Sequence, residues 1–133
     1  MIRQRIGIDT SVLVRLVTQA PEETFQQCVK SLRALIEEQG GEVYASNQVI
    51  EETYAALQHH YGASRDDACT GLLRAFDSGL VVPLNGPAVI EALSASGGPG
   101  LFDRLIADDY SRAGLETLTL DRKMATLSNV RRL

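Results

Sequence analysis

Two carboxylates of this 133-residue chain are predicted to end strands. Asp9 follows the apolar residues 6–8, and Asp121 follows residues 118–120, which read as a second short strand. Because the carboxyl ends of parallel strands meet at one edge of a sheet, the two acids can converge there. The alternative for each acid is that it caps the helix that follows it.

A third carboxylate, Glu52, is predicted on a helix. It lies on one helical stripe with Val49, Thr53, Ala56 and Leu57, so we expect its side chain to face the interior, whereas Glu51 is expected at the surface. An inward carboxylate needs a partner, because an unpaired buried charge is costly. That partner is expected to be a metal ion, and an ion pair with an arginine such as Arg15 is the alternative.

The fourth carboxylate, Asp103, follows the glycine-rich residues 97–100 and falls in the first turn of a predicted helix. Acids are favoured there by the helix dipole, which is the alternative explanation. Its helical neighbours, such as Ile106, are apolar, so we expect Asp103 to face the site. Asp108 is expected to form surface ion pairs, and Asp109 is left outside the predicted site.

Four carboxylates without a histidine or cysteine cluster are typical ligands of a hard cation, Mg²⁺ or Mn²⁺. Two such ions, roughly 3.5–4 Å apart, can activate a water molecule and stabilise the departing oxygen of a phosphodiester. Ser11 and Thr119 are expected to orient the carboxylates or their waters, with helix capping and strand packing as the alternatives. The adjacent His59 and His60 are expected to face solvent, which makes a zinc site a poor interpretation.

Alternating strands and helices must position these acids. Strands are predicted at residues 5–9, 42–45, 80–84 and 115–120 and near Val130, and helices at 10–16, 21–39, 48–61, 64–78, 87–93 and 101–113, with a short one from 122. This order indicates an α/β fold with a parallel sheet covered on both faces. The length suits a single domain over residues 1–133.

Charge and composition limit the function classes. The net charge of −4 argues against a nonspecific nucleic-acid binder, but setting the four carboxylates aside removes the whole imbalance. Cys28 and Cys69 match no metal or redox spacing and are expected to be buried thiols, with a disulfide as the alternative. No apolar run suits a membrane span or a signal region, so a cytoplasmic location is expected.

The acids and their surroundings resemble the motifs of PIN-domain ribonucleases, especially the VapC-type toxins of bacterial toxin–antitoxin pairs. Residues 8–15 are similar to the first motif, 49–57 to the second, 102–107 to the third and 119–121 to the fourth. In the second motif the acid stands five places before a leucine, which selects Glu52. The resemblance extends over nearly the whole chain.

This resemblance implies a three-layer α/β/α PIN-like domain with a central parallel sheet of about five strands. It also implies Mg²⁺ or Mn²⁺ dependence, with Asp9, Glu52, Asp103 and Asp121 as ligands. The expected reaction is endonucleolytic hydrolysis of RNA that leaves a 5′-phosphate. The expected partners are an RNA substrate, a second copy of the chain and a small antitoxin protein.

Two positions depart from the family pattern. Gly100 stands where the family often has another acid, so one metal position is expected to be weaker. Arg104 replaces the usual alanine and is a candidate phosphate contact, with an ion pair to Asp108 four residues later as the alternative.

Two other functions remain as alternatives. The first is a catalytically idle PIN-like module that binds RNA or protein. The second is a phosphoryl-receiver domain, which is also a doubly wound sheet with acids at strand ends. A receiver is expected to have paired acids after its first strand, whereas here Thr10 and Ser11 follow Asp9.

Overall fold

A computed structural model describes residues 4–133 of the chain, in which short strands alternate with longer helices. The strands are β1 (Arg5–Gly7), β2 (Glu42–Ala45), β3 (Val82–Pro83), β4 (Thr117–Thr119) and β5 (Val130–Arg132). The helices are α1 (Thr10–Thr18), α2 (Glu22–Arg33), α3 (Asn47–His60), α4 (Arg65–Asp77), α5 (Pro87–Ser94) and α6 (Leu101–Arg112). A π-helical turn, Ala34–Glu38, prolongs α2, and a 3₁₀ turn, Met124–Thr126, lies between β4 and β5.

Every strand pair within residues 4–133 is parallel. β2 lies between β1 and β3, with Arg5 of β1 opposite Glu42. β4 and β5 form a sheet of their own, with Thr117 opposite Val130. The predicted α/β class is confirmed, but the five strands are divided between two sheets rather than joined in one.

Two of the predicted helices, α3 and α4, begin at serine caps. The Ser46 hydroxyl accepts a hydrogen bond from the backbone amide of Val49 at 3.2 Å, and the Ser64 hydroxyl accepts one from the amide of Asp67 at 3.1 Å. Each bond satisfies an amide that the first helical turn leaves unpaired. Since Ser46 directly follows β2, this cap fixes the start of α3 at the carboxyl end of the sheet.

The apolar core lies between the three-stranded sheet and the helices. Its largest fully buried apolar side chains come from five helices and the residue before β3: Leu13, Ile50, Leu72, Val81, Val89 and Leu105. Helices α1 and α4 approach closely at Gly71, where a Cβ atom would lie 2.7 Å from Val17 Cγ1. Because glycine has no side chain, α1 and α4 can pack closely at this position.

The structure also tests the expectations about the two cysteines and about a membrane span. Cys28 and Cys69 are both free thiols, which excludes the disulfide alternative. Both are half-buried rather than fully buried. Among residues 4–133, no helix combines the length and the apolar character that crossing a membrane requires.

Candidate functional site

Asp9 lies two residues beyond β1 and caps α1. Its carboxylate accepts hydrogen bonds from the Ser11 hydroxyl at 2.5 Å and from the backbone amide of Val12 at 3.4 Å. The Ser11 bond, followed by the Val12 bond, lowers the pKa of Asp9 below its usual value. The side chain is exposed. Asp9 is therefore a solvent-facing anion that a neighbouring hydroxyl orients.

Glu52 is hydrogen-bonded to the hydroxyl of Thr10, the residue that follows Asp9. Thr10, the residue after Asp9, donates from Oγ1 to Glu52 Oε2 at 2.7 Å, and Gln48 donates to Glu52 Oε1 at 3.2 Å. The first bond joins the start of α1 to α3 across 42 residues of sequence. Two predicted site residues, Asp9 and Glu52, thus lie on adjoining segments at the carboxyl end of the sheet.

The prediction that Glu52 faces the interior is wrong. The buried face of α3 is centred on Ile50, Tyr54 and Leu57, so a residue at position 52 points the opposite way and is exposed. Its neighbour Glu51, expected at the surface, lies at the rim of that face and is half-buried. Burial raises the pKa of Glu51, and the nearby charges of Asp109 and Glu52 raise it further.

Two asparagines that sequence reasoning missed hold a pair of aspartates at this edge. Asn47 Nδ2 donates to Asp108 Oδ2 at 3.1 Å and to Asp109 Oδ1 at 3.0 Å, while Asn85 Nδ2 donates to the same two oxygens at 2.9 and 2.8 Å. Arg112 forms an ion pair with Asp108 at 3.2 Å, as expected of a surface acid. We call Asn47, Asn85, Asp108 and Asp109 the amide clamp.

The amide clamp fastens the last turn of α6 to the carboxyl ends of β2 and β3, because each asparagine shortly follows one of those strands. Asn47 is only 3% exposed and also donates to the backbone oxygen of Leu105 at 3.2 Å. Both asparagines could have been found from the sequence, because each follows a predicted strand, as Asp9 does.

Replacing Asn47 with alanine is expected to lower the free energy of unfolding by about 1–3 kcal/mol, because three acceptors lose a buried donor. Urea unfolding followed by circular dichroism measures the change. The control is Gln26→Ala on the exposed side of α2, which is expected to stay within about 0.5 kcal/mol of the wild type. Equal stability of the Asn47→Ala variant and the wild type would contradict the role of the clamp.

Asp103 lies in a cleft between α3, α4 and α6. It is half-buried in the first turn of α6 and lines a cleft with Tyr54, Gln58 and Arg65. Asp103 is in the first turn of α6, whereas the amide clamp holds the last turn of that helix. Among residues 4–133, Asp103 does not form a three-carboxylate cluster with Asp9 and Glu52, and whether it joins them stays a prediction.

Arg104 is engaged by the loop that precedes α6. It donates to the backbone oxygens of Pro99 at 2.9 Å and Gly97 at 3.2 Å. Asp108 instead pairs with Arg112, so the alternative of an Arg104–Asp108 ion pair is wrong. The guanidinium stabilises the glycine-rich loop.

Asp121 caps the 3₁₀ turn after β4. Its carboxylate accepts hydrogen bonds from the backbone amides of Lys123 at 2.7 Å and Met124 at 3.2 Å. Thr119 accepts a bond from the Asp121 amide at 3.0 Å, so this hydroxyl fixes the turn. β4 does not pair with β1 among residues 4–133, so whether Asp121 joins Asp9 stays a prediction.

The family model for the PIN domain matches residues 6–130, which include Asp9, the amide clamp and the 3₁₀ turn. The chain belongs to the PIN domain family. No curated protein and no solved structure gives a match. PIN domains are generally nucleases that use divalent metal ions, and this assignment decides against the phosphoryl-receiver alternative.

The donor atoms of this PIN domain suit a divalent cation in kind but not in number. Asp9 and Glu52 offer the carboxylate oxygens that hard cations prefer. Across residues 4–133, however, no three carboxylate, imidazole or thiol side chains stand close enough to hold one ion. One copy of the chain therefore brings together only part of the predicted ligand set.

Proposed function

We propose that this PIN domain is an Mg²⁺- or Mn²⁺-dependent endoribonuclease, acting in the cytoplasm as the toxin of a type II toxin–antitoxin pair. A small antitoxin protein would restrain it. The family match supports nuclease chemistry, and the four motifs in order, centred on Asp9, Glu52, Asp103 and Asp121, support this particular branch of the family.

The observation that carries the proposal is the contact between Thr10 and Glu52. Asp9 is an anion of lowered pKa at the end of β1, and Glu52 accepts from the very next residue. Both carboxylates are exposed, so a phosphodiester has access to them. A carboxylate with a purely structural role is often paired with an arginine or a lysine. Neither Asp9 nor Glu52 forms such an ion pair within residues 4–133.

The residues around these acids have definable tasks. Ser11 fixes the Asp9 carboxylate, and Thr10 fixes the Glu52 carboxylate toward α1. Two adjacent anions repel a phosphate, and a bound divalent cation reverses the local sign of the field. A metal ion of this kind would supply charge stabilisation and an activated water, and the chain's contribution is to hold the ligand oxygens in place.

Cleavage of a fluorescently labelled single-stranded RNA tests the proposal. We expect cleavage with Mn²⁺ or Mg²⁺, none with EDTA, 5′-phosphate ends by mass spectrometry, and little cleavage of DNA of the same sequence. A purified, folded chain that leaves a mixed RNA pool intact at all metal concentrations would refute the nuclease proposal.

The incomplete ligand set of one copy favours a second candidate, an idle module that binds RNA or protein. Isothermal titration with Mn²⁺ discriminates between the two. A nuclease is expected to bind the ion and an idle scaffold is not.

A further inference from the structure

Part of one face of the three-stranded sheet is open to solvent. Val43 and Ala45 of β2 are buried and belong to the apolar core. Because successive side chains of a strand point to opposite faces, Tyr44 points away from that core. On its side of the sheet, Val82 lies opposite Tyr44 and is 43% exposed, and Leu84 is 52% exposed. A small surface beside Tyr44 is therefore accessible to a ligand.

Gly7 forms the floor of this surface. It lies opposite Tyr44 on β1, and a Cβ atom at Gly7 would meet nothing within 4 Å among residues 4–133 apart from its chain neighbours. The space above the strand is therefore open where any other residue would place a side chain. A cavity of about 360 Å³ lies there, lined in part by Arg5, Ser46 and Leu84. A concave site of this size can hold a small planar group.

Two flat π surfaces border the cavity. The guanidinium of Arg5 lies over the Tyr44 ring, 4.9 Å from its centroid. The Tyr44 hydroxyl donates a hydrogen bond to the Glu42 carboxylate, which holds the ring in place. Aromatic rings and guanidinium planes are the groups on which unpaired RNA bases stack. We call Arg5, Gly7, Tyr44 and Ser46 the sheet platform.

The polar groups of the sheet platform suit a nucleotide. Arg5 forms no ion pair within residues 4–133, so its charge is available to a phosphate. The Ser46 hydroxyl accepts from the amide of Val49 and donates to no group in the described chain, which leaves its proton for an acceptor on a base. Charge complementarity therefore favours a nucleic acid over a purely apolar ligand.

The sheet platform is next to the candidate metal ligand Asp9. Ile8 packs against the core, and the backbone of Asp9 is extended, so Gly7 and Asp9 both point away from the core. Two residues of extended chain span roughly 7 Å, a distance that one nucleotide can bridge. A base above Gly7 therefore belongs to the nucleotide beside a phosphate at Asp9.

We propose that the sheet platform binds one unpaired base of the RNA substrate, stacked on Tyr44 above Gly7, in the nucleotide beside the scissile phosphate. Arg5 contacts a neighbouring phosphate of the same strand, and Ser46 donates to an edge of the base. The inference rests on the proposed function, because the RNA is the substrate of that site. Double-stranded RNA does not fit the platform, since its bases are paired and stacked inside the helix.

Ultraviolet crosslinking locates the base without cleavage. The full-length Asp9→Asn variant is used in EDTA, which prevents cutting and removes one charge that repels the phosphate. A mixed-sequence single-stranded RNA that contains 4-thiouridine is crosslinked to it, and mass spectrometry identifies the linked residue. We expect the crosslinks to lie within residues 5–9 or 42–46. An RNA that binds but crosslinks only elsewhere overturns the proposal.

Gly7→Val closes the sheet platform with little risk to the fold. The added Cβ atom meets no neighbour, and β-branched residues favour strands. Combined with Asp9→Asn, we expect this change to weaken binding of a fluorescent single-stranded RNA by about 10-fold in anisotropy, because stacking on Tyr44 is lost. Unchanged RNA binding by the folded Gly7→Val chain overturns the proposal.

A second pair of variants separates the phosphate contact from a general effect of charge. Arg5→Ala is expected to weaken RNA binding in the same assay. Its matched control is Arg33→Ala at the exposed end of α2, which removes the same charge and is expected to bind RNA like its parent. Equal losses from the two changes contradict a specific contact at Arg5.

The platform and the proposed function fail in different ways. An Asp9→Asn chain that binds no single-stranded RNA overturns the platform, whether or not the wild type cuts RNA with Mn²⁺. If the crosslinks lie at the platform but the wild type cuts no RNA, the platform stands and the nuclease proposal falls.

Discussion

Substituting Asp9 with asparagine is expected to reduce Mn²⁺-dependent RNA cleavage by about 100-fold or more, since a lost ligand should cost at least as much as a lost supporting residue. The amide of asparagine still caps α1 but has no charge with which to bind a cation. Initial rates on a labelled RNA, measured over a range of Mn²⁺ concentrations, give the loss. Melting curves of both proteins show whether the fold is retained.

The matched control for this substitution is Asp77→Asn at the end of α4. Asp77 is exposed and lies outside the site, so its loss of one carboxylate reproduces the change in net charge alone. We expect it to cleave at the wild-type rate. Wild-type cleavage by a folded Asp9→Asn variant would remove Asp9 from the mechanism.

Truncating Leu72 to alanine is expected to lower the free energy of unfolding by about 2–5 kcal/mol. Leu72 is 0% exposed, and it lies beside Gly71, where α1 and α4 are already in close contact. The surrounding helices therefore have little freedom to close the cavity. For a chain of this length the melting temperature should fall by roughly 7–18 °C in scanning calorimetry.

Leu133→Ala is the matched control, because the same atoms are removed from a side chain that is 80% exposed. Its unfolding free energy should stay within about 0.5 kcal/mol of the wild type. A Leu72→Ala variant that melts with the control would show that the α1–α4 contact is not part of the cooperative core.

Local signals in the sequence were sufficient to predict the order of the helices and strands and where several of them begin or end. The helices predicted at residues 48–61 and 64–78 begin at the Ser46 and Ser64 caps, because capping depends on a side chain and an amide three residues apart. The strand that leads to Asp9 is also found where the apolar run predicts it. Such features depend on neighbours in sequence and need no knowledge of the tertiary fold.

Features that depend on distant neighbours were not predictable in the same way. The sequence predicts the wrong buried face for α3 at Glu52. Periodicity gives the spacing of residues on one face of a helix, but the neighbouring elements decide which face is buried. The contacts of Asn47 and Asn85 with α6 join residues more than twenty positions apart. Whether Asp103 and Asp121 join the site stays a prediction.

β1 and β4 each have one edge that pairs with no strand among residues 4–133. An unpaired edge offers its backbone amides and carbonyls to any other extended segment. Next to β4, the exposed side chains of Leu118 and Leu120 add apolar surface. Aggregation of the concentrated protein is therefore expected to begin at these edges.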